Sequence, residues 1–372
     1  MSRLRQLFVS DGVNRKNGMI EFLRFVFCVA VVLLHSGVLF SEQSKPLKYG
    51  SYAVEFFFIV SGYLMIKSIK KAESAELKTS LGRETCAFLR HKFCPLMPYL
   101  ILVFIYGLII HYIFIRDSLE YTDTYAYFIT SLGELLGLRM TGLKVQVLNG
   151  NIWYISAMLI AMLPLYPLAR KLGDRFTHII APFTAVMLIG WISRCDAKLE
   201  TPGAWTSLGH IGTVRAFAAL CLGCAVFAVV EAVKERPYKR WFRATMTVVE
   251  WVGYAVVIAT MQIAGKKSVQ MMMIYLTAAL VALTFSGITY SQRFMSGKLV
   301  YALGKFSLPL YIFHYIMRYT LQYLKLDLPT EQQFAIYIGG ALAVSALSEA
   351  MIRFLRVFYT KHPLRVTDIS AQ

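Results

Sequence analysis

Long apolar segments alternate with short polar connections along almost the whole chain. A helix that crosses the apolar core of a bilayer, about 30 Å thick, needs about 20 predominantly apolar residues. Ten segments meet this requirement and predict ten membrane-spanning helices, over 19–40, 50–66, 94–115, 151–169, 176–193, 209–231, 246–264, 269–288, 301–322 and 333–352. The pattern therefore predicts an all-α polytopic integral membrane protein.

Segment 125–138 is also apolar, but it is too short to cross a bilayer and it contains Glu134. We interpret it as an interfacial or re-entrant helix. None of the polar connections is long enough to form a separate soluble domain. We expect a single transmembrane domain over the whole chain, with an N-terminal tail, a ten-helix membrane core and a C-terminal tail over 1–18, 19–352 and 353–372.

The composition supports a membrane protein and excludes several soluble classes. Hydrophobic residues make up 57% of the chain and charged residues only 16%, whereas a typical soluble domain has about 25% charged residues. The 39 Lys and Arg residues outnumber the 21 Asp and Glu residues, which gives a net charge of +18. Such an excess can indicate a nucleic-acid partner, but here long apolar runs separate the basic residues. We therefore expect membrane lipids, and no nucleic acid, among the partners.

The distribution of Lys and Arg predicts the orientation in the membrane. Cytoplasmic connections of membrane proteins are enriched in these residues. If the N-terminus is cytoplasmic, the inner segments contain 25 basic residues and the outer segments contain 10. With ten spans both termini then lie in the cytoplasm, and most of the positive charge forms a layer against the anionic headgroups.

Charged side chains within a bilayer are costly, so each of them is a candidate functional residue. Arg24 and His35 are eleven residues apart in the first span, which places both on one helix face, about 16 Å apart along the axis. In the expected orientation Arg24 lies near the cytoplasmic surface and His35 lies in the outer half of the membrane. Two structural alternatives stay open: Arg24 snorkels to the inner headgroups, and His35 forms an interhelical hydrogen bond.

Three further ionisable residues lie at the depth of His35. At 1.5 Å per residue, Glu55, Arg215 and His314 all lie roughly 20–23 Å from the inner boundary of the membrane. Two imidazoles, a carboxylate and a guanidinium at one depth suggest a shared polar cavity. The alternative is a set of separate structural ion pairs, such as Glu55 with Arg215.

Five motifs resemble, in their order along the chain, those of the integral-membrane acyltransferase family three. They are R-x10-H from Arg24 to His35, FFFIVSGY over 56–63, FLRHKFCPLMPY over 88–99, NIWYIS over 151–156 and LGKFSLPLYIFH over 303–314. The family consists of bacterial transmembrane O-acyltransferases, which commonly acetylate exported or surface glycans. The resemblance covers nearly the whole chain and implies a multi-pass protein of the bacterial cytoplasmic membrane.

The resemblance implies that acyl-coenzyme A, acetyl-coenzyme A above all, is a co-substrate on the cytoplasmic side and that no cofactor is permanently bound. Its phosphates would meet Arg24, Arg90 and Lys92, because guanidinium and ammonium groups bind phosphate well. For Arg90 and Lys92 the alternative is the general enrichment of basic residues in cytoplasmic connections. The second Arg that the family usually has before a proline is missing here, so His91 or Arg83 is a candidate replacement.

The family motif also places its catalytic histidine at His35. A near-neutral imidazole suits the general base that removes the proton of an acceptor hydroxyl. Glu55 matches an acidic position of the family and is a candidate to orient that imidazole, although pairing with an arginine is an alternative role. The remaining candidates for the acceptor path or for the second layer of the site are Ser61, Tyr63, Asn151, Trp153, Tyr154, Arg215, Ser307, Tyr311 and His314. No His and Cys cluster has metal-ligand spacing, so we expect no metal.

Other interpretations of the same residues stay open. Trp153 and Tyr154 are equally typical of the aromatic belt at a membrane interface. The whole chain could be a transporter or flippase for a lipid-linked sugar, in which the buried charges form a conduction path, or a partner-binding subunit whose chemistry has been lost. The function that we predict is acyl transfer to a hydroxyl of a cell-surface glycan or of its lipid-linked precursor.

Overall fold

The computed structural model of the protein describes residues 17–75, 79–115, 121–234 and 236–361. Most of the two predicted tails therefore lies outside the described residues. Within these ranges the chain is almost entirely helical. The predicted all-α fold class is confirmed.

Thirteen α-helices follow each other along the described part of the chain. In order they are α1 (Gly18–Ser36), α2 (Ala53–Ser74), α3 (Leu81–Phe93), α4 (Met97–Ile115), α5 (Tyr121–Leu135), α6 (Trp153–Leu172), α7 (Ala181–Arg194), α8 (Ile211–Val233), α9 (Arg240–Ile263), α10 (Lys267–Ser286), α11 (Ser291–Phe294), α12 (Lys298–Leu324) and α13 (Thr330–Lys361). Short 3-10 turns lie at Gly37–Leu39 and Gly50–Tyr52, and a π-turn at Phe176–Ile180 leads into α7. Strands β1 (Trp205–Thr206) and β2 (Gly209–His210) form a small antiparallel hairpin before α8.

Ten of the described helices are long and apolar enough to cross a membrane: α1, α2, α4, α6, α7, α8, α9, α10, α12 and α13. They correspond one to one to the ten predicted spans. The second span continues to Ser74, beyond its predicted end, because the helix extends past the apolar core through Lys67, Lys70 and Lys71. The short segment 125–138 largely coincides with α5, which is not among the ten. The protein is thus a polytopic membrane protein with ten candidate spans in its described part.

An even number of crossings brings both ends of the described chain to the same side of the bundle. We call the side with the start of α1 and the end of α2 the terminal face. The side with the end of α1 and the start of α2 is the opposite face, which also holds the connections 37–52, 195–210 and 264–266. The orientation predicted from the basic residues assigns the terminal face to the cytoplasm.

Helix α2 lies at the centre of the bundle. Most of its surface is buried, whereas α9 and α13 present most of theirs to the surroundings. It packs along α8 through two glycines, since a Cβ at Gly62 would overlap the carbonyl oxygen of Leu220 and a Cβ at Gly223 would overlap that of Ile59. Small residues permit this close approach between membrane helices. The glycine of the FFFIVSGY motif is therefore a packing requirement.

Helices α1 and α12 form a second close pair. The side chain of Asn17 caps α1 by accepting a hydrogen bond from the backbone N–H of Ile20. Helix α12 contains Pro309 in its interior, where the ring removes a backbone donor. The pairing of these two helices brings the end of α1 against the middle of α12, where the two predicted histidines lie.

Candidate active site

A cavity of about 940 Å³ lies at the opposite face of the bundle. The spans contribute His35 from α1, Trp153 from α6, Arg215 from α8, and Tyr311 and Tyr315 from α12. Further residues of the spans, among them Arg318 of α12, and the connections of the opposite face form the rest of the wall. Two of the four residues that suggested a shared polar cavity, His35 and Arg215, thus lie in the wall of this cavity, and Glu55 and His314 do not.

His35 and His314 form the first pair of buried ionisable side chains at this cavity. Their rings are stacked with centroids 5.2 Å apart, and His35 Nδ1 lies 3.0 Å from His314 Nε2. His314 Nδ1 lies 3.0 Å from the backbone carbonyl oxygen of Leu310. The interhelical hydrogen bond that was one alternative for His35 is present, and its partner is another predicted site residue.

This chain of contacts determines the tautomers of the two rings when both are neutral. A carbonyl oxygen can only accept a hydrogen bond, so the hydrogen of His314 lies on Nδ1, facing Leu310. His314 Nε2 must then accept, and His35 donates to it from Nδ1. The remaining nitrogen of His35, Nε2, therefore carries a lone pair and is the basic atom of the pair.

Tyr315 packs edge-on against His35, with ring centroids 4.8 Å apart. Its hydroxyl accepts a hydrogen bond of 2.5 Å from Arg318, whose guanidinium also lies over the Tyr315 ring. Gly150 makes this arrangement possible, because any Cβ at that position would overlap the ring of Tyr315. The glycine directly before the NIWYIS motif is therefore a steric requirement of the site.

A buried ion pair fixes the connection that precedes α6 beside α12. Glu134 at the end of α5 accepts hydrogen bonds from the backbone N–H groups of Leu148 and Asn149, at 2.8 and 3.0 Å. Arg139 lies 3.4 Å from the Glu134 carboxylate and donates to the backbone carbonyls of Asn149 and Gly150. Burial raises the pKa of Glu134 to about 7, although Arg139 and the two N–H groups favour its ionised form.

Two asparagines of this connection bind the backbone of α12 next to His314. Asn149 donates from Nδ2 to the carbonyl oxygen of Ile312 at 2.8 Å, and Asn151 donates from Nδ2 to that of Tyr311. The hydroxyl of Tyr311 donates in turn to the backbone carbonyl of Asn151, at 3.0 Å. The predicted site residues Asn151 and Tyr311 thus hold α12 in register with the start of α6.

Glu55 and Arg215 form the second buried pair. Arg215 donates from Nε and Nη2 to the two carboxylate oxygens of Glu55, at 2.6 and 2.9 Å. Its other bonds reach the backbone carbonyls of Leu199 and Ser51 at 2.6 and 2.8 Å, and its guanidinium lies over the ring of Trp153. Both charges are almost fully buried. The bidentate geometry and the additional hydrogen bonds offset the loss of water around them.

These contacts revise the orienting role predicted for Glu55. Both of its carboxylate oxygens are bound to Arg215, and the residue that contacts His35 Nδ1 is His314. The physical reason is that the guanidinium fork matches a carboxylate in charge and geometry, whereas a neutral imidazole offers one weaker donor. The alternative expectation, a structural pair of Glu55 with Arg215, describes the geometry, and a catalytic role of Glu55 stays a prediction.

A second group of polar residues lies toward the terminal face. Arg24 is partly exposed and lies 3.5 Å from Glu21 in the preceding turn of α1. Lys92, near the end of α3, is close enough to Arg24 for the two positive charges to interact. Burial, with a further contribution from Arg24, lowers the pKa of Lys92 to about 8. Two of the three predicted donor-binding residues are therefore brought together.

A row of aromatic side chains connects this group with the histidines. Tyr154 lies beside Ser61 and within electrostatic reach of Arg24. The ring of Tyr154 lies 5.8 Å from that of Tyr311, which lies 6.0 Å from the ring of His314. These predicted site residues thus form a row of ring contacts that ends at His314, beside the cavity.

Three other predicted site residues make different contacts. Arg90 is exposed in the last turn of α3. Tyr63 stacks on Phe285 of α10, with ring centroids 3.9 Å apart. Ser307 donates within its own helix to the carbonyl oxygen of Gly304, at 2.7 Å. The contacts of Tyr63 and Ser307 are those of helix packing, and the role of Arg90 in donor binding stays a prediction.

Six basic residues in the cavity wall were not among the predicted site residues: Lys45, Lys48, Arg139, Lys198, Lys267 and Arg318. Arg318 has a recognisable signal, because it is a charged residue within a span and lies one helical turn after His314. The other five lie in connections or at the start of a helix. Sequence spacing gives no information about where such residues point.

Comparison with known proteins identifies the family. A family model described as an acyltransferase domain, that of acyltransferase family three, matches residues 17–350. The match includes all five motifs and both buried pairs. Neither a curated protein nor a solved structure shows significant similarity to the chain. The chain therefore belongs to acyltransferase family three and is a multi-pass membrane acyltransferase.

Proposed function

We propose that this acyltransferase moves an acyl group, acetyl above all, from cytoplasmic acyl-coenzyme A to a hydroxyl of a cell-surface glycan or of its lipid-linked precursor. The observation that carries the proposal is the hydrogen-bond chain from Leu310 through His314 to His35. It leaves a lone pair on His35 Nε2, in a residue that lines a large cavity with several charged side chains in its wall. Acyl transfer to a hydroxyl requires a base with this protonation state and this access.

The transfer can be written with His35 as the proton carrier. The acceptor hydroxyl gives its proton to His35 Nε2 while its oxygen attacks the carbonyl carbon of the thioester. The C–S bond of the tetrahedral species then breaks, and the coenzyme A thiolate takes the proton back from Nε2. An O-acyl ester and free coenzyme A are formed, and His35 is regenerated. His314 accepts a hydrogen bond from Nδ1 throughout and stabilises the transient imidazolium.

The charges toward the terminal face support coenzyme A as the donor. Arg24 and Lys92 place two basic groups near each other there, and such groups bind phosphates. Arg24 and His35 are about 16 Å apart along α1, a separation that the flexible arm between the phosphates and the thioester of coenzyme A bridges. The acceptor enters from the cavity at the opposite face, so only the acyl group crosses the membrane barrier.

Full-length protein in liposomes tests the proposal. Acetyl-coenzyme A with a radiolabelled acetyl group is supplied on the terminal face, and the surface glycan of the producing cells is supplied on the other side. We expect the label to appear on the glycan as an alkali-labile ester, with release of an equal amount of coenzyme A. His35→Gln is the matched control, because glutamine is polar but has no basic nitrogen.

Two results would contradict the proposal: no ester formed by the wild-type protein, or equal ester formation by His35→Gln. The same vesicles separate the transporter alternative. A flippase would move a lipid-linked sugar across the bilayer without consuming the thioester, so coenzyme A would not be released.

A further inference from the structure

The cavity at the opposite face carries more positive charge than acyl transfer to a neutral hydroxyl needs. The carboxylate, lysine and arginine side chains of its wall are two acidic and seven basic ones, Glu42, Glu200, Lys45, Lys48, Arg139, Lys198, Arg215, Lys267 and Arg318. Two more carboxylates, Glu55 and Glu134, are partners of these basic residues. The cavity and its immediate surroundings therefore have three more positive than negative charges.

Four of the seven basic residues have a carboxylate partner that explains their presence. These ion pairs are Arg215 with Glu55, Arg139 with Glu134, and Lys45 and Lys48 with Glu42. Buried or partly buried charges of this kind need such compensation. The charges of these four residues are accordingly balanced by carboxylates of the protein and need no ligand.

The other three, Lys198, Lys267 and Arg318, have no carboxylate within ion-pair distance among the residues that the structure describes. Lys267 donates to two backbone carbonyls of the connection 195–197, at 2.6 and 2.8 Å. Arg318 donates to the hydroxyl of Tyr315, while its Nε is buried without a hydrogen-bond partner in the described part of the chain. Three side chains of the wall are thus cations without a carboxylate partner: Lys198, which is exposed, and Lys267 and Arg318, which are partly buried.

A buried guanidinium N–H without a partner costs free energy unless a ligand accepts its hydrogen bond. Uncompensated positive charge in a cleft with apolar walls also creates a strong local field, because such walls focus the potential. One kind of ligand satisfies both conditions, since a carboxylate or a phosphate carries negative charge and accepts several hydrogen bonds.

We propose that the acyl acceptor is anionic: a saccharide that presents a carboxylate or phosphate to Lys198, Lys267 and Arg318 while its hydroxyl lies at His35. This inference rests on the proposed acyl transfer and specifies its acceptor class. Arg318 determines how far the bound negative charge lies from the reacting hydroxyl, because Arg318 lies one helical turn after His314 on α12. Negative charge is therefore bound next to the hydroxyl that reacts. The charge belongs either to the sugar, as in a uronic acid, or to the phosphate that joins a precursor to its lipid carrier.

Binding of defined probes to the full-length protein in lipid nanodiscs tests this proposal. The probes are a fluorescent tetramer of glucuronic acid, a fluorescent glucose tetramer of the same linkage, and inorganic pyrophosphate as a competitor. We expect at least one anion to bind about tenfold or more tightly than the neutral tetramer, and this preference to weaken as salt is added. Tighter binding of the glucuronic acid tetramer assigns the charge to the sugar, and tighter binding of pyrophosphate assigns it to the lipid-linked phosphate.

Two variants of the wall and one control show where the anion binds. Lys198→Gln and Arg318→Gln should each weaken binding of the preferred anion by about tenfold and leave binding of the neutral tetramer unchanged. Lys144→Gln removes the same charge from an exposed residue outside the cavity wall, so it should bind the anion as the wild type does. The thermal unfolding temperature of each variant verifies that it is folded.

The proposal is overturned if charged and neutral probes bind equally, if neither anion binds, or if both wall variants bind the anion like the wild type. Release of coenzyme A is measured separately on the same preparations. A protein that turns over the thioester but has no preference for anions would keep the proposed transferase function and refute the anionic acceptor. A protein that binds the anion without thioester turnover would refute the transferase function instead.

Discussion

Two buried pairs of ionisable side chains lie at the same face of the membrane core, and they are built in opposite ways. Arg215 binds both carboxylate oxygens of Glu55 and two backbone carbonyls. His35 and His314 share a single hydrogen bond, and His35 Nε2 keeps its lone pair. Depth in the membrane therefore does not identify a reactive group by itself. What identifies it is the hydrogen-bonding capacity that its partners leave unused.

The two pairs also differ in what their loss would cost. Removing one member of a buried ion pair leaves an unpaired charge, which costs about 3–5 kcal/mol. Two neutral imidazoles contain no such charge, so one ring can be replaced with less effect on folding. Glu55 and Arg215 accordingly fix α2 against α8, while His35 is able to change its protonation state during a reaction.

The largest effect on activity is expected at His35. His35→Gln should lower the rate of acyl transfer by about 10²–10⁴-fold, because it removes the proposed general base, and should leave the thermal unfolding temperature nearly unchanged. Release of coenzyme A in liposomes and thermal unfolding in detergent measure the two quantities. Loss of activity together with loss of folded protein would place His35 in the same structural class as Glu55.

The opposite pattern is expected at the ion pair. Arg215→Met should destabilise the fold by about 3–5 kcal/mol, because it leaves the Glu55 carboxylate buried and unpaired. The double variant Glu55→Leu with Arg215→Met should regain much of that stability. Equilibrium unfolding in detergent measures both. If the stable double variant lacks activity altogether, the pair also takes part in the reaction, and the contrast between the two pairs breaks down.

A smaller effect is expected when the partner of His35 is changed. His314→Leu removes the acceptor of the Nδ1 hydrogen and should lower the transfer rate by roughly 10–100-fold, as for other groups that orient a functional imidazole. His314→Gln retains a carbonyl oxygen that can accept this hydrogen and should recover part of the rate. The pH profile of the transfer rate should shift in the leucine variant. Equal rates in both variants would show that His314 has only a packing role.

The smallest effect concerns the pH dependence of donor binding. Burial lowers the pKa of Lys92 to about 8, so its positive charge is present below pH 8 and is lost as the pH rises above that value. The KM for acetyl-coenzyme A should therefore increase several-fold between pH 7 and about pH 9.5, since a charge-assisted contact to phosphate is lost. Lys92→Arg keeps its charge over this range and should remove the dependence. A profile that is the same in both proteins would exclude Lys92 from the donor site.

The ten spans could be predicted closely because length and apolarity alone decide whether a helix can cross a bilayer. The non-spanning helix α5 follows from the same rule. The end of the second span illustrates the limit: hydropathy marks where the apolar core ends, but α2 continues to Ser74 because a helix carrying Lys67, Lys70 and Lys71 remains helical beyond that core. The family was also recognisable, because five motifs occur in order and the match to residues 17–350 confirms it.

The partners within the site were less predictable. Glu55 and His35 were predicted to share a site because they lie at equal depth in the membrane. Contact also depends on lateral position, and Glu55 faces α8 while His35 faces α12. Tyr63 belongs to a recognisable motif, yet its ring packs on α10 because its direction around α2 points there. Arg318 was recognisable in the sequence as a charged residue within a predicted span. Its position beside Tyr315 depends on how α12 is rotated relative to α1.

The sequence by itself determined the fold class, the number of spans, the family and the candidate base, because these depend on composition, period and motif along one chain. The tertiary structure decided which groups are paired. Rotation and lateral packing of the helices placed His314, rather than Glu55, on His35, and folded the connections of the opposite face into the cavity wall. A lone pair left free on His35 and three cations without carboxylate partners are properties of contacts between distant segments, and such contacts are not encoded in spacing along a helix.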